Sequence, residues 1–309
     1  MSASHTSLIA LLGKCVIAAG HSPILVICFS LHSMAAEVRL SDLENGAPRG
    51  TEPVPRRPLK LFLLVGQSNM AGRGSVGPDD RKPIPGVWSF DRTGTWVQAI
   101  DPLHWDKPEI AGAGLGRSFA QTLRTLEPGV EIGLIPCAFG GTALEKWMPG
   151  GDLFIDAVDR ARRAMADGEL CGILWHQGET DTRRRETAVT YAERWRTFMS
   201  SLRAELKAES VSVVVGGLGE FVAGRMLDGA PYGPFLEEVN RQIGTLASSE
   251  GKIVYVDATG LGHIGDQLHF SADAQHELGR RYARAFLKLQ PTWPASSNQR
   301  KRSETAEIP

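Results

Sequence analysis

The sequence lacks an excess of charge of either sign, and this limits the classes of partner. Its 309 residues carry 34 Lys and Arg against 35 Asp and Glu, a formal net charge of −1 with histidine neutral. Domains that bind nucleic acid or anionic lipid present a strongly basic surface instead. We therefore expect no nucleic-acid partner, and a neutral or mixed substrate is the simpler expectation.

Long hydrophobic runs are also scarce. The main apolar run lies within residues 15–31. A histidine and a proline interrupt it, so it is too short for a stable membrane span. Lys14 precedes the run and small residues at 33–36 follow it, as in a secretory leader with a cleavage site. We predict that residues 1–36 are a signal peptide and that the mature protein is secreted or periplasmic; a start placed too far upstream, or a plain extension, is the alternative.

Cysteine is rare, with four residues in the chain. Cys15 and Cys28 fall in the predicted leader. Cys137 follows the end of one predicted strand, and Cys171 begins another. In parallel strands these positions are about 20 Å apart, which is beyond the reach of a disulfide. We expect two structural thiols, and cysteine usage leaves the compartment open.

What the sequence does contain is a regular alternation of strands and helices over residues 59–290. Apolar runs of strand length occur at 59–65, 130–136, 171–176, 211–215 and 253–256. Between them, apolar residues recur at helical spacing. The alternation predicts one α/β domain with a five-stranded, parallel, doubly wound sheet.

Three further segments are interpreted from composition. Residues 37–58 are polar and contain three prolines, which predicts a linker. Residues 76–112 form an unusually long connection rich in Pro, Gly and Trp, and long structureless loops in compact domains are often functional. Residues 291–309 are polar and predict a disordered tail.

Four short polar segments stand where predicted strands end. They are Gly66–Met70, Phe139–Thr142, Trp175–Glu179 and Asp266–His269. In an open α/β sheet, ligands bind outside the carboxyl ends of the strands. The segments supply a serine, glycine backbone amides, an amide side chain, and a histidine with a carboxylate three residues earlier. These are the groups that acyl transfer through a serine nucleophile requires.

Ser68 and His269 are the candidate reacting pair. Ser68 comes three residues after Val65, at a strand end. Asp266 can reach one ring nitrogen of His269 while the other faces the sheet edge, which would stabilise the imidazolium formed when histidine takes the serine proton. The alternatives are an ordinary serine in a turn and a surface histidine beside a surface aspartate.

Candidate donors to an oxyanion follow the second and third strands. Backbone amides at Gly140 and Gly141 can approach a substrate closely because glycine has no side chain. Gln177 offers an uncharged side-chain donor. The alternatives are a simple tight turn and a loop hydrogen bond. Glu179 is expected to order this loop or to assist the histidine.

His176 and Glu179 have a spacing that metal ligands use on helices. His176 ends a predicted strand, however, and no second ligand pair of this kind occurs in the sequence. We therefore predict no metal, and acyl transfer by serine needs no cofactor.

The four segments together resemble the blocks of the SGNH-hydrolase superfamily, most closely its sialate O-acetylesterase-like branch, which includes acetylxylan esterases of carbohydrate esterase family 6. The resemblance covers nearly the whole domain and implies a three-layer α/β/α sandwich. It implies a serine esterase that removes acetyl groups from sugar hydroxyls. Ser68 would be the nucleophile, His269 the base and Asp266 its orienting acid.

The same resemblance implies an oxyanion hole formed by the Ser68 amide, a Gly140 or Gly141 amide, and the side chain of Gln177. Gln177 stands where the superfamily usually has an asparagine. Gln67 and Asn69, on either side of the serine, are implied to support the site.

The expected partner is an acetylated carbohydrate, and the sequence does not say which one. Arg73 could meet a carboxylate, and Trp147 could stack on a sugar ring, as could Trp88, Trp96 and Trp105. The alternative is that these aromatics pack the rim of the core. A lipid or thioester hydrolase on the same fold and a non-catalytic carbohydrate-binding module remain the competing functions.

Overall fold

The computed structural model describes residues 58–249, 252–290 and 293. The predicted leader and all of the predicted linker except residue 58 lie outside the described residues. Strands within them are β1 Leu59–Gly66, β2 Val87–Phe90, β3 Trp96–Gln98, β4 Ile132–Pro136, β5 Gly168–His176, β6 Ser212–Gly216, β7 Met226–Leu227, β8 Ala230–Pro231 and β9 Ile253–Val256. Helices are α1 Ser68–Ala71, α2 Leu115–Leu126, α3 Asp152–Ala164, α4 Arg185–Val189, α5 Tyr191–Leu206, α6 Leu236–Ser249 and α7 Ala272–Leu289.

The main sheet has the order β3-β2-β4-β1-β5-β6-β9. Its strands are parallel except β3, which runs antiparallel to β2. Successive residues of β1 face opposite cores: Leu61 and Leu63 pack in one cluster, Phe62 and Leu64 in the other. Burial on both faces explains why the strands are continuous apolar runs rather than alternating ones.

Helices cover both faces of this sheet. Side chains of α2 and α7 pack in the core that contains Phe62, and those of α3, α5 and α6 pack in the core that contains Leu61. The predicted doubly wound α/β domain and three-layer sandwich are confirmed. No helix in the described ranges is long and apolar enough to cross a membrane.

The predicted number of five strands is wrong, because the sheet has seven. The two additional strands, β2 and β3, lie within the connection 76–112 that was predicted to be structureless. They have only four and three residues. The pairing of β2 with β4 stabilises them, and a local sequence pattern of this length cannot show that long-range pairing.

The chain order reverses beside β1. From β1 the chain goes through α2 to β4 on one side, and then through α3 to β5 on the other. The carboxyl ends of these three adjacent strands therefore meet at one crevice, where loops diverge in opposite directions. Ligands bind at such switch points.

The C-terminal helix begins at a capping serine, and a buried tryptophan follows its end. Ser271 caps α7, accepting a hydrogen bond from the Ala274 amide at 3.3 Å. Trp293, in the tail predicted to be disordered, is 9% exposed and packs against Phe62 and Phe286. The other residues of the predicted tail lie outside the described ones. Cys137 and Cys171 are free thiols, as expected.

Candidate active site

Ser68 is the first residue of α1 and lies just beyond the end of β1. The turn into the helix depends on Gly66, whose φ is +142° and whose missing Cβ would stand 2.1 Å from the carbonyl oxygen of His176. Only glycine fits such a close approach of two strands. The turn holds the Ser68 side chain at the sheet edge, 4% exposed.

His269 meets Ser68 although 201 residues separate them in the chain. Its Nε2 is 3.0 Å from Ser68 Oγ, and its Nδ1 is 2.6 Å from Asp266 Oδ2. The other oxygen of Asp266 accepts hydrogen bonds from the backbone amides of Leu268 and His269, both at 2.9 Å. The Asp-x-x-His spacing therefore forms a closed turn that orients carboxylate and imidazole together.

Burial and hydrogen bonding set the charges of this pair. Burial lowers the pKa of His269 below its usual value, although the Asp266 carboxylate opposes the shift. Burial raises the pKa of Asp266, but its hydrogen bonds from the His269 and Leu268 amides and from the His269 ring outweigh this and leave the pKa below its usual value. At neutral pH the pair is a carboxylate beside a neutral imidazole, the state in which histidine can accept a proton.

Asn69 fixes the position of the His269 loop. Its Nδ2 donates to the carbonyl of Leu268 at 3.0 Å, and its Oδ1 accepts from the amide of Phe270 at 3.1 Å. One side chain thus hydrogen-bonds to the backbone on both sides of the histidine. Because Asn69 also follows Ser68 directly, it connects the two candidate reacting residues to each other.

Glu179 lies behind Asn69 and is fully buried. It accepts a hydrogen bond from Asn69 Nδ2 and lies 3.7 Å from Nε2 of His176. Burial raises the pKa of Glu179 to about 7 and lowers that of His176 to about 3. The hydrogen bond from Asn69 to Glu179 holds the Asn69 side chain in position.

The glycine turn after β4 is held by a buried ion pair that the sequence did not indicate. Asp106 Oδ2 accepts the Gly140 amide at 2.8 Å and forms an ion pair with Arg73, and both charged side chains are 2% exposed. This corrects two predictions. The Gly140 amide is already bonded to a carboxylate, and the Arg73 guanidinium is committed to Asp106 rather than open to a substrate carboxylate.

Gln177 is also committed to protein acceptors, contrary to its predicted role as a free oxyanion donor. Its Nε2 donates to Asp181 Oδ2 at 2.7 Å and to the Thr142 carbonyl at 3.0 Å. Gln67 Oε1 lies 3.3 Å from the same nitrogen. Two N–H groups cannot serve a further acceptor in this arrangement. Gln177 therefore anchors the glycine turn, through Thr142, to the end of β5.

Backbone amides near the serine include two in the glycine turn and at the strand end that have no acceptor in the part of the chain that the structure describes. They belong to Ser68 and Gly141. Gly141 has φ +79°, a backbone conformation that residues with a side chain rarely adopt. An oxyanion could accept from these two amides without displacing a protein contact.

Most of the tryptophans that could stack on a sugar ring pack in the core instead, which is the alternative given for them. Trp147 is fully buried, its Nε1 donates to Thr142 Oγ1, and its ring packs edge-to-face on Trp175. Trp88 in β2 and Trp96 in β3 are buried, 6% and 7% exposed. Of the tryptophans proposed to stack on sugars, Trp105 is the one that lines an open cavity.

The chemistry available is therefore attack by a serine hydroxyl whose proton passes to an oriented histidine. In the described ranges, no group of three or more His, Cys, Asp or Glu residues is placed to hold a metal ion.

Comparison with protein families gives a match over most of the chain. A model described as carbohydrate esterase, sialic acid-specific acetylesterase matches residues 58–288. The chain is 32% identical over 260 residues to a probable carbohydrate esterase of Arabidopsis thaliana, covering 78% of this chain and 94% of that protein.

Solved structures agree in fold. The Arabidopsis thaliana protein superposes with a TM-score of 0.66 at 30% identity, over 75% of this chain and 99% of that one. NanS superposes with a TM-score of 0.61 at 17% identity, over 77% of this chain and 99% of that one. A carbohydrate acetylesterase from Xanthomonas citri superposes with a TM-score of 0.55 at 22% identity, over 74% of this chain and 56% of that one. The last two likenesses concern the fold alone.

Proposed function

The chain belongs to the carbohydrate esterase family of sialic acid-specific acetylesterases and is therefore a carboxylic ester hydrolase, and from this premise we propose that Ser68, His269 and Asp266 remove O-acetyl groups from carbohydrates. The observation that carries the proposal is the continuous chain of contacts from Ser68 Oγ through the imidazole to Asp266 Oδ2, with distances of 3.0 and 2.6 Å.

In the first half of the reaction, His269 Nε2 takes the proton of Ser68 as Oγ bonds to the acetyl carbon. The carbonyl oxygen becomes an oxyanion, which the Ser68 and Gly141 amides can stabilise. Collapse of this intermediate breaks the bond to the sugar oxygen. The proton on His269 passes to that oxygen, so the sugar leaves as an alcohol and the acetyl group stays on Ser68.

In the second half, water attacks the acetyl-enzyme and gives its proton to His269. The tetrahedral intermediate collapses to acetate, and the histidine returns the proton to Ser68 Oγ. The Asp266 carboxylate stabilises the imidazolium in both halves without taking the proton itself. No step requires a metal or an organic cofactor.

Substitution of Ser68 tests the proposal. We expect Ser68→Ala to lower turnover of 4-nitrophenyl acetate on the order of 10³-fold or more, because the variant has no hydroxyl to acylate. We also expect a fluorophosphonate probe to label the wild-type protein at Ser68. Ser75→Ala is a matched control, since Ser75 is an exposed serine outside the site.

Normal turnover by Ser68→Ala would overturn the mechanism. Absence of labelling together with absence of turnover in the wild type would favour a non-catalytic carbohydrate-binding module. Faster hydrolysis of long-chain nitrophenyl esters than of acetate would favour a lipid esterase on the same fold.

A further inference from the structure

A cavity of about 450 Å³ lies beside the glycine turn and has no part in the proton transfers above. Its lining includes His104, Trp105, Asp106, Phe139, Asp152 and Asp156. The cavity is connected to Ser68 through the glycine turn. Asp106 bonds to the Gly140 amide at 2.8 Å, and a Cβ built on Gly140 would stand 3.3 Å from Cβ of Ser68.

Two buried polar atoms in this lining have no hydrogen-bond partner among the described residues. They are Asp106 Oδ1 and His104 Nε2. The Asp106 side chain is 2% exposed and His104 is 5% exposed. A buried polar atom without a partner costs about 1–3 kcal/mol. Hydroxyl groups both donate and accept, so a polyhydroxylated ligand could satisfy a carboxylate oxygen and an imidazole nitrogen together.

The same cavity has aromatic walls. Phe139 is 41% exposed, so part of its ring is open to a ligand in the cavity that it lines. Trp105 is half-buried, and the guanidinium of Arg160 covers its ring from 4.6 Å, which stiffens that wall. Rigid aromatic surfaces beside unpaired polar atoms suit the apolar faces and hydroxyl edges of a sugar ring.

Charge at the cavity mouth selects against an acidic sugar. Asp152 and Asp156 are exposed on one face of α3, four residues apart, and neither has an ion-pair partner within the described ranges. Arg92 carries a positive charge in the lining, and the ion pair with Arg73 neutralises Asp106. A ligand carboxylate would meet two exposed carboxylates and one guanidinium, a net negative charge, whereas hydroxyl groups could donate to the carboxylates.

We propose that this cavity is a subsite for a neutral sugar ring, with Phe139, Asp106 and Asp156 as its specificity determinants. The inference rests on the proposed function, because it assigns the ring whose acetyl ester reaches Ser68. It names neutral saccharides, rather than sialic or uronic acids, as the substrate class.

The experiment compares three esters: a methyl mono-O-acetyl-β-xylopyranoside, which keeps two free hydroxyl groups, 9-O-acetyl-N-acetylneuraminic acid and 4-nitrophenyl acetate. We expect the wild type to prefer the xyloside to the sialic acid. Phe139→Ala should lower the ratio of kcat/KM for the xyloside to that for nitrophenyl acetate about tenfold. Asp156→Asn should shift the ratio of the two sugars towards the sialic acid by about threefold.

Matched controls separate the subsite from general damage. Asp159→Asn removes an exposed carboxylate of the same helix that does not line the cavity, and Leu126→Ala trims an exposed apolar side chain of α2. Both should keep the wild-type ratios. A preference for the sialic acid, or unchanged ratios in Phe139→Ala and Asp156→Asn, would overturn the subsite.

A binding measurement makes the subsite testable even if Ser68 is not the nucleophile. Methyl β-xylopyranoside, which carries no ester, is titrated into Ser68→Ala protein and followed by saturation-transfer NMR. We expect saturation transfer to the sugar, and its loss when Phe139→Ala is added. Equal transfer with and without Phe139 would reject the subsite, whereas failure of the proposed function would appear only in the turnover assays.

Discussion

Asn69 and Asp266 show how single side chains assemble a site from distant parts of the chain. Asn69 brackets His269 with two backbone hydrogen bonds, and Asp266 closes the turn that contains the histidine. Neither residue needs to touch a substrate to matter, because a reacting pair displaced by even 1 Å can lose much of its rate. Glu179 supports Asn69 from the buried side.

The pH dependence of hydrolysis should report the protonation of His269. Only the neutral imidazole can accept the serine proton, so activity is present above the pKa of His269 and is lost as pH falls through it. Because burial lowers this pKa, we expect the acidic limb of kcat/KM for 4-nitrophenyl acetate below pH ~6.5, the reference value for histidine.

Asp266→Asn is the matched variant for this profile. The Asp266 carboxylate opposes the lowering of the His269 pKa and stabilises the imidazolium, and the substitution removes both effects. We expect kcat to fall by roughly 10³–10⁴-fold, and the residual limb to move to lower pH. A rate independent of pH down to pH 4 in the wild type would contradict histidine as the base.

At the level of elements, the alternation of apolar runs predicted the strands that carry the site, because strands buried on both faces are recognisable locally. The order β4-β1-β5 then brings three of the motif segments to one edge. The hairpin β2–β3 could not be predicted in this way. Its stability comes from register with β4 and from burial of Trp88 and Trp96, which are properties of the assembled sheet.

The errors in the site have the same origin. A sequence shows that Gln177 and Gly140 bear donors, but not that Asp181 and Asp106 have already accepted them. Asp106 lies in the long connection with no motif around it, so only the fold reveals its contact with the glycine turn. Asp266 and His269 were predictable because a local turn determines their geometry.

Trp293 lies after the last helix, outside the alternation of strands and helices, and its substitution measures what it contributes to stability. Its ring packs on Phe62 of β1 and Phe286 of α7, with centroids 5.9 and 5.0 Å away. We expect Trp293→Ala in the full chain to lower the free energy of unfolding by about 3 kcal/mol, as for other buried aromatics. Urea denaturation measures this.

Leu126→Ala is the control for Trp293, because it trims a side chain that is 52% exposed. It should change the free energy of unfolding by no more than about 0.5 kcal/mol. A similarly small effect of Trp293→Ala would mean that the ring is not part of the core in solution.

For the whole molecule, buried ionisable groups set how stability depends on pH. Burial, with Asp80 nearby, raises the pKa of Asp101 to about 8, and burial lowers that of His104 to about 4. Folded His104 resists protonation, so its contribution to stability is lost as pH falls below ~6.5. Folded Asp101 retains a proton that the unfolded chain releases near pH ~4, so stability falls as pH rises from there to about 8.

Above pH 6.5 the buried carboxyl groups with raised pKa values, Asp101 and Glu179, still act, and Asp101→Asn isolates the first of them. We expect the free energy of unfolding of the wild type to fall between pH 6.5 and 8, with Asp101 contributing about 1 kcal/mol per pH unit. Asparagine has nearly the same shape and no charge to acquire, so the variant should lose much of this slope. Urea denaturation at both pH values measures it, with the exposed Asp159→Asn expected to follow the wild type. Parallel slopes in Asp101→Asn and the wild type would show that Asp101 is already ionised in the folded protein, because only a proton held by the fold can make stability fall over this range.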